Sequence, residues 1–363
     1  MNSFETLFSP YQLGSLSLKN RIVMAPMTRS RAIGNIPNDM MADYYGSRAS
    51  AGLIITEGTA PSPDGLGYAR IPGMYSEQQI EGWKIVTDAV HRAGGKIFIQ
   101  LMHTGRISHP LNMPEGAQVI GASPIAAANT QMYTDQEGMK ALPIPKQVAA
   151  EEIPEVIAGF VHAAKSAVAA GFDGVELHGA NGYLLEQFLN TASNQRTDAY
   201  GGSIENRNRL VLEVTAAVAD AIGKERTGIR LSPFGAFGEM LSDETTEEQY
   251  AQLAAGLKSI GIVYIHMVDH SSMETPAVPQ SVKDVVKKEF GSTIILSGGY
   301  DPERAEADLK AGKGELVAFA RPFIANPDLV QKFAAGTALI APDPDTFYTP
   351  GEKGYNDYPV SAN

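Results

Sequence analysis

Short β-branched runs recur eight times along this chain, each followed by a helix-like stretch, and no other feature constrains the fold as much. The runs fall at residues 21–25, 53–57, 96–101, 174–178, 228–232, 263–268, 293–297 and 316–320. The clearest helix between them opens at Ser76, with Gln79 three residues on as a capping box. It places Ile80, Trp83, Val86 and Val90 on one face and stops at Gly94-Gly95. Further helices are predicted near 154–170, 204–222, 246–260, 280–290, 302–310 and 327–335. Eight strand–helix repeats predict an α/β fold, a (β/α)8 TIM barrel, over the open doubly wound sheet that the same alternation permits.

Two stretches lie outside the repeat. Residues 1–20 carry a turn at Leu13-Gly14-Ser15 and are expected to form an N-terminal β-hairpin that caps the bottom of the barrel. Residues 103–150 are a proline-bearing insertion after strand 3, too long for a plain connection and expected to be a substrate lid. Residues 340–363 form a C-terminal tail, and with no repeat, linker or low-complexity tract the expectation is one domain over 1–363.

Charge and composition narrow the function. The 29 Lys+Arg against 41 Asp+Glu give a formal charge of −12, the wrong sign for binding a nucleic-acid backbone. There is no cysteine, which removes disulfides, thiolate-ligated zinc, iron–sulfur clusters and cysteine nucleophiles. The first residues lack the basic start and apolar core of a signal peptide, and runs such as Leu53-Ile54-Ile55 fall far short of the ~20 residues of a spanning helix. The expected setting is the cytoplasm, with no membrane or nucleic-acid partner.

Strand parity supplies the first sign of chemistry. Ile97 and Ile99 oppose Phe98 and Gln100; Val175 and Leu177 oppose Glu176 and His178; Ile229 and Leu231 oppose Arg230 and Ser232. If the aliphatic faces meet the helices, Gln100, His178 and Arg230 all point inward near strand C-termini, where barrel active sites are assembled. Any one of them reads as a satisfied core residue; three at one depth read as a site. Strand 7 ends in Ser297-Gly298-Gly299 and strand 8 in Ala320-Arg321, a pattern suited to a phosphate group. The segment His178-Gly-Ala-Asn181-Gly-Tyr183 either polarises an oxygen and delivers a proton, or is a loop-to-helix junction with Asn181 as a cap and Tyr183 as packing. No G-x-G-x-x-G, Walker loop, H-E-x-x-H or G-x-S-x-G occurs, so no Rossmann site, metal or serine nucleophile is expected. The early methionines Met24, Met27, Met40 and Met41 read as core filler.

Four blocks carry a resemblance: Asn20-Arg-Ile-Val-Met-Ala-Pro26-Met-Thr28-Arg, Gln100-Leu-Met-His-Thr-Gly-Arg-Ile-Ser-His109, Gly174-Val-Glu-Leu-His178-Gly-Ala-Asn181-Gly-Tyr183, and Gln187-Phe-Leu through Arg196 to Arg207. Together they resemble the old yellow enzyme family, the FMN-dependent ene-reductases of the classical bacterial type, from about Leu7 to Tyr358. The resemblance implies FMN over the barrel mouth, with Pro26, Met27 and Gly58 beside the isoalloxazine ring and Thr28 on its carbonyl edge. Gln100 and Arg230 would bind the pyrimidine edge, and Gly298, Gly299, Ala320 and Arg321 the phosphate. His178 and Asn181 would grip the substrate oxygen, Tyr183 would give the proton, and Tyr68, Met102 and Tyr348 would line the substrate pocket.

The implied reaction has two halves. NADPH or NADH reduces FMN; hydride then goes to the β-carbon of an α,β-unsaturated carbonyl or nitroalkene while Tyr183 protonates the α-carbon. Met102 stands where many family members have tryptophan, which leaves the pocket shape open. The runner-up is reductive denitration of nitrate esters or nitro compounds. A flavin-free phosphate-binding barrel, such as an aldolase or isomerase, is the reading from another class.

Overall fold

The computed structural model describes residues 4–273 and 275–360. Eight parallel strands close into a barrel: β1 (Ile22–Met24), β2 (Leu53–Thr59), β3 (Ile97–Leu101), β4 (Gly174–Gly179), β5 (Thr227–Leu231), β6 (Tyr264–Val268), β7 (Thr293–Ser297) and β8 (Leu316–Phe319). Pairing of Val317 with Ile22 joins β8 to β1 and leaves no free edge. Around them run α1 (Asp39–Gly46), α2 (Glu77–Arg92), α3 (Ile153–Ala169), α4 (Ile204–Ile222), α5 (Thr246–Ile260), α6 (Gln280–Phe290), α7 (Pro302–Lys310) and α8 (Leu329–Ala335). The chain is therefore the (β/α)8 barrel that the alternation predicted.

Two cores follow from strand parity. The outward residues, among them Ile99, Leu177, Ile229 and Ile265, pack against the helices in one large cluster. The inward set, including Val23, Ile55, Phe98, Tyr264 and Ile295, fills the barrel floor. Glycines make room for the inward aromatics: a Cβ at Gly174 would lie 2.3 Å from the Phe98 ring, and one at Gly228 2.3 Å from that of Tyr264. The predicted hairpin pairs Tyr11–Leu13 with Leu16–Leu18 and presses Leu13 and Leu18 onto the same floor. The bottom is thereby plugged, which leaves the C-terminal face as the mouth.

The capping box at Ser76 and Gln79 starts α2 as expected, and buried Trp83 donates its indole N–H to Gly73 O at 3.1 Å. The pattern did not predict α1, a short helix capped by Asn38 whose Tyr44 and Tyr45 are buried by tertiary contacts rather than by a repeating stripe. The last predicted helix, near 327–335, is α8, and a short helix that the pattern did not predict, Arg321–Ala325, precedes it across residues 326–328.

The insertion folds over the mouth as a hairpin, Gln131–Thr134 with Gly138–Ala141, and a short parallel pair, Ile120–Gly121 with Lys146–Gln147. Buried Arg196 pins it by donating to Ala122 O and Val148 O. The tail is gripped in the same way. Arg29 donates to Gly354 O at 2.7 Å, and Arg31 to Thr346 O and Lys353 O at 2.9 Å. Tyr355 stacks on Tyr44 with ring centroids 4.0 Å apart, and the grip carries Phe347 and Tyr348 to the mouth.

Candidate active site

Above the apolar floor the barrel interior turns polar. Register sets Gln100 beside Glu176, and Arg230 between His178 and His266. The Gln100 amide donates to Glu176 Oε1 at 2.8 Å, and His266 Nδ1 donates to Glu176 Oε2 at 2.9 Å. Glu176 therefore compensates the buried Arg230 guanidinium, whose own pKa burial lowers. Gln100, His178 and Arg230 do lie together at one depth, as parity predicted. Glu176 and His266 share that parity and complete the layer, yet the sequence reading had not singled them out.

The loop after β4 is braced from behind. Asn181 takes a left-handed backbone (φ 60°), and its amide N–H donates to Ser232 Oγ at 2.9 Å. The Ser232 hydroxyl donates to Glu186 Oε1 at 2.8 Å, and the Gly182 N–H to Glu186 Oε2 at 2.5 Å. Burial pushes Glu186 up to about 7. The Asn181 side-chain oxygen accepts from His270 Nε2 at 2.7 Å. Tyr183 and Tyr68 share a hydrogen bond of 2.8 Å, and burial raises both phenols, Tyr183 well above the usual range. His178 sits edge-on to Tyr183 with ring centroids 4.9 Å apart. Burial first, then the Arg230 charge, lowers its pKa, so the imidazole is neutral.

On the opposite side, the ends of β7 and β8 form a cradle. Gly298 (φ 141°) and Gly299 (φ 61°) adopt backbone that side-chain-bearing residues avoid. A Cβ at Gly298 would lie 2.3 Å from Asp269 O, so only glycine lets the turn pass this close to β6. Arg321 stands exposed at the rim, beside Ala320.

A cavity of about 590 Å³ joins the two sides, a size ordinary for a cofactor site. Its walls include Pro26, Met27, Thr28, Tyr68, Asn181, Tyr183, Arg230, Gly298, Gly299, Ala320, Arg321 and Tyr348. Gln100 and His178 lie beneath it, 2% and 3% exposed. Gly58 and Met102 are set apart from its walls: Met102 is 1% exposed and packs so closely that a Cβ at Gly58 would meet its Sδ at 2.4 Å. His270, Phe237 and Phe347 also line the cavity and were not predicted, because each comes from a loop with no periodic signal. Buried His178 Nδ1 and Arg230 Nε have no partner among the described residues. A guanidinium N–H is always a donor and buried donors are seldom left unmade, so Arg230 Nε beneath the cavity suits a polar ring edge lying across it. The glycine cradle at the other end suits a phosphate, and the residues present thus fit FMN.

Fold and site together define an oxidoreductase barrel built around a flavin. The family model of the NADH:flavin oxidoreductase / NADH oxidase family matches residues 6–339, and the chain belongs to that family. It is of the old yellow enzyme type, an enzyme that uses FMN and a nicotinamide donor. Morphinone reductase superposes with a TM-score of 0.95 at 44% identity, covering 99% of this chain and 98% of that one. The old yellow enzyme homologue from Zymomonas mobilis gives a TM-score of 0.93 at 39% identity, covering 98% and 100%. A probable flavin mononucleotide-dependent alkene reductase of Leishmania infantum is 40% identical over 361 residues, 98% of each chain. Among the described residues no helix is long and apolar enough to cross a membrane, and no cluster of three His, Asp or Glu side chains could hold a metal.

Proposed function

We propose that this enzyme reduces the carbon–carbon double bond of α,β-unsaturated carbonyl compounds and nitroalkenes. The observation that carries the reading is the trio at the end of β4: a neutral buried His178, an Asn181 amide at the cavity wall, and a Tyr183 phenol kept protonated by burial. His178 and Asn181 donate to the substrate oxygen and draw electron density from the β-carbon. Tyr183 gives its proton to the α-carbon, with Tyr68 hydrogen-bonded to the same hydroxyl. Gln100 and Arg230 would hold the pyrimidine edge of FMN; Pro26, Met27 and Thr28 would support its ring system; Gly298, Gly299, Ala320 and Arg321 would take its phosphate. When bound, FMN supplies the two-electron store between NAD(P)H and the alkene.

The test separates the half-reactions by anaerobic rapid mixing. Tyr183→Phe should leave reduction of the enzyme by the nicotinamide intact and slow enone reduction by roughly 10²–10⁴-fold, the effect of a lost general acid. A nitroalkene should suffer less, because the nitronate it forms can be protonated later by water. Equal slowing of both halves would make the tyrosine structural and the reading wrong.

A further inference from the structure

We propose that His270 is a positioning residue for this reduction: it fixes the Asn181 side chain so that its amide donors, not its oxygen, face the substrate. The inference rests on the role given to Asn181 above.

The backbone of Asn181 is already held, by its left-handed conformation and by the Ser232 hydroxyl. The side-chain amide is not, because oxygen and NH2 are nearly the same size and a half-turn exchanges them. The exchange matters, since an amide oxygen turned inward would repel the carbonyl or nitro oxygen that Asn181 must bind. His270 removes the choice. Its Nε2 lies 2.7 Å from Asn181 Oδ1; as the Nε2–H tautomer it donates to that oxygen and offers no acceptor to the NH2 of a turned amide. Burial and the Arg230 charge hold His270 down at about 4, so near neutrality it is a neutral donor and adds no competing charge. Asn181 lines the cavity, and its Nδ2 has no partner among the described residues.

His270 is itself held. Its ring meets Phe237 edge-on at 4.7 Å, and the neighbouring Asp269 is tied to the Ser271 N–H at 2.9 Å and to Lys283 Nζ at 2.6 Å. Loops following β4, β5 and β6 thus converge to set one amide.

The experiment uses the FMN-loaded enzyme, reduced with dithionite and mixed anaerobically with 2-cyclohexenone, in His270→Phe, His270→Gln, Asn181→Ala and the double variant His270→Phe/Asn181→Ala. His270→Phe should lower the second-order rate by about tenfold, the loss of one aligned hydrogen bond. His270→Gln, which restores an N–H donor, should recover to within about threefold of wild type. In the Asn181→Ala background His270→Phe should cost less than about twofold, because the two act through one amide. A second readout needs no turnover: the carbonyl ¹³C signal of bound cyclohexanone should shift toward that of free ketone in His270→Phe and return in His270→Gln. If His270→Phe fails to hold FMN, His270→Asn, too short to reach Oδ1, carries the same expectation. Wild-type rates and shifts in His270→Phe, no recovery in His270→Gln, or an equal loss without Asn181 would each overturn the proposal. A harmless Asn181→Ala would instead overturn the reading of the site beneath it.

Discussion

Replacing Gly298 with alanine tests the proposed phosphate cradle where the structure is least forgiving. The backbone there has φ 141°, a region that side-chain-bearing residues enter at a cost of about 1–3 kcal/mol. The new Cβ would also lie 2.3 Å from Asp269 O, a backbone atom that cannot swing aside like a side chain. Overpacking of that kind adds about 1–3 kcal/mol, so the combined cost is roughly 4 kcal/mol. For 363 residues the unfolding entropy is about 0.8 kcal/mol/K, which converts this into a fall in Tm of about 5 °C. Gly312→Ala is the control. Its φ is 67° and no atom lies within 4 Å of the added carbon, so it pays strain alone, about 1 kcal/mol and little more than 1 °C. Relief of the Gly298 clash requires the turn after β7 to move away from β6 and spread the cradle. Reconstitution of apoprotein, followed by quenching of FMN fluorescence, should therefore show a Kd raised by about tenfold or more, the loss of at least one phosphate hydrogen bond. If Gly298→Ala melted with Gly312→Ala, the steric reasoning would be refuted. If it melted lower yet held FMN as tightly as wild type, the phosphate would lie elsewhere.

Arg321→Ala should weaken FMN binding by about tenfold; Arg321 is exposed, which places the lost charge-assisted bond at the low end of ~1.5–3 kcal/mol. Fluorescence titration of the apoprotein reads it, and an unchanged Kd would remove Arg321 from the phosphate site. Glu176→Gln should cost about 1–3 kcal/mol, because both Gln100 and His266 donate to this carboxylate and an amide can accept on one side only. Denaturant unfolding measures that loss, and flavin content should fall with it, since Arg230 loses its buried counter-charge. Burial holds both Glu57 and Glu186 up at about 7, above the carboxylate value near 4.5 of the unfolded chain. Each therefore contributes stability that is fully present below about pH 4.5 and is lost as pH rises to about 7, up to roughly 3 kcal/mol per group. Unfolding curves between pH 5 and 8 should show this decline, and a shallower one in Glu186→Gln; the same slope in both would contradict the assignment for Glu186.

Much of the molecule was legible in the chain because it depends on local periodicity. Alternation of β-branched runs and helical stripes determined the barrel, and a period of two placed Gln100, His178 and Arg230 inside it, since neighbouring residues of a strand must face opposite ways. Glycines at 298 and 299 and the arginine at 321 marked the cradle end for a similar reason: backbone freedom and charge are properties of the residue itself. What the residues touch was decided only by closure of the barrel. Glu176 meets Gln100 and His266 because strand register, a cooperative property of the whole sheet, aligns residues 76 and 90 positions apart. Met102 turns toward Gly58 through the packing of β2 against β3. The tail reaches the mouth because Arg29 and Arg31 find their acceptors more than 300 residues away. His270 and Asn181, 89 residues apart on two loops without periodicity, meet only because parallel strands end on the same face, and no pattern along the chain records such a meeting.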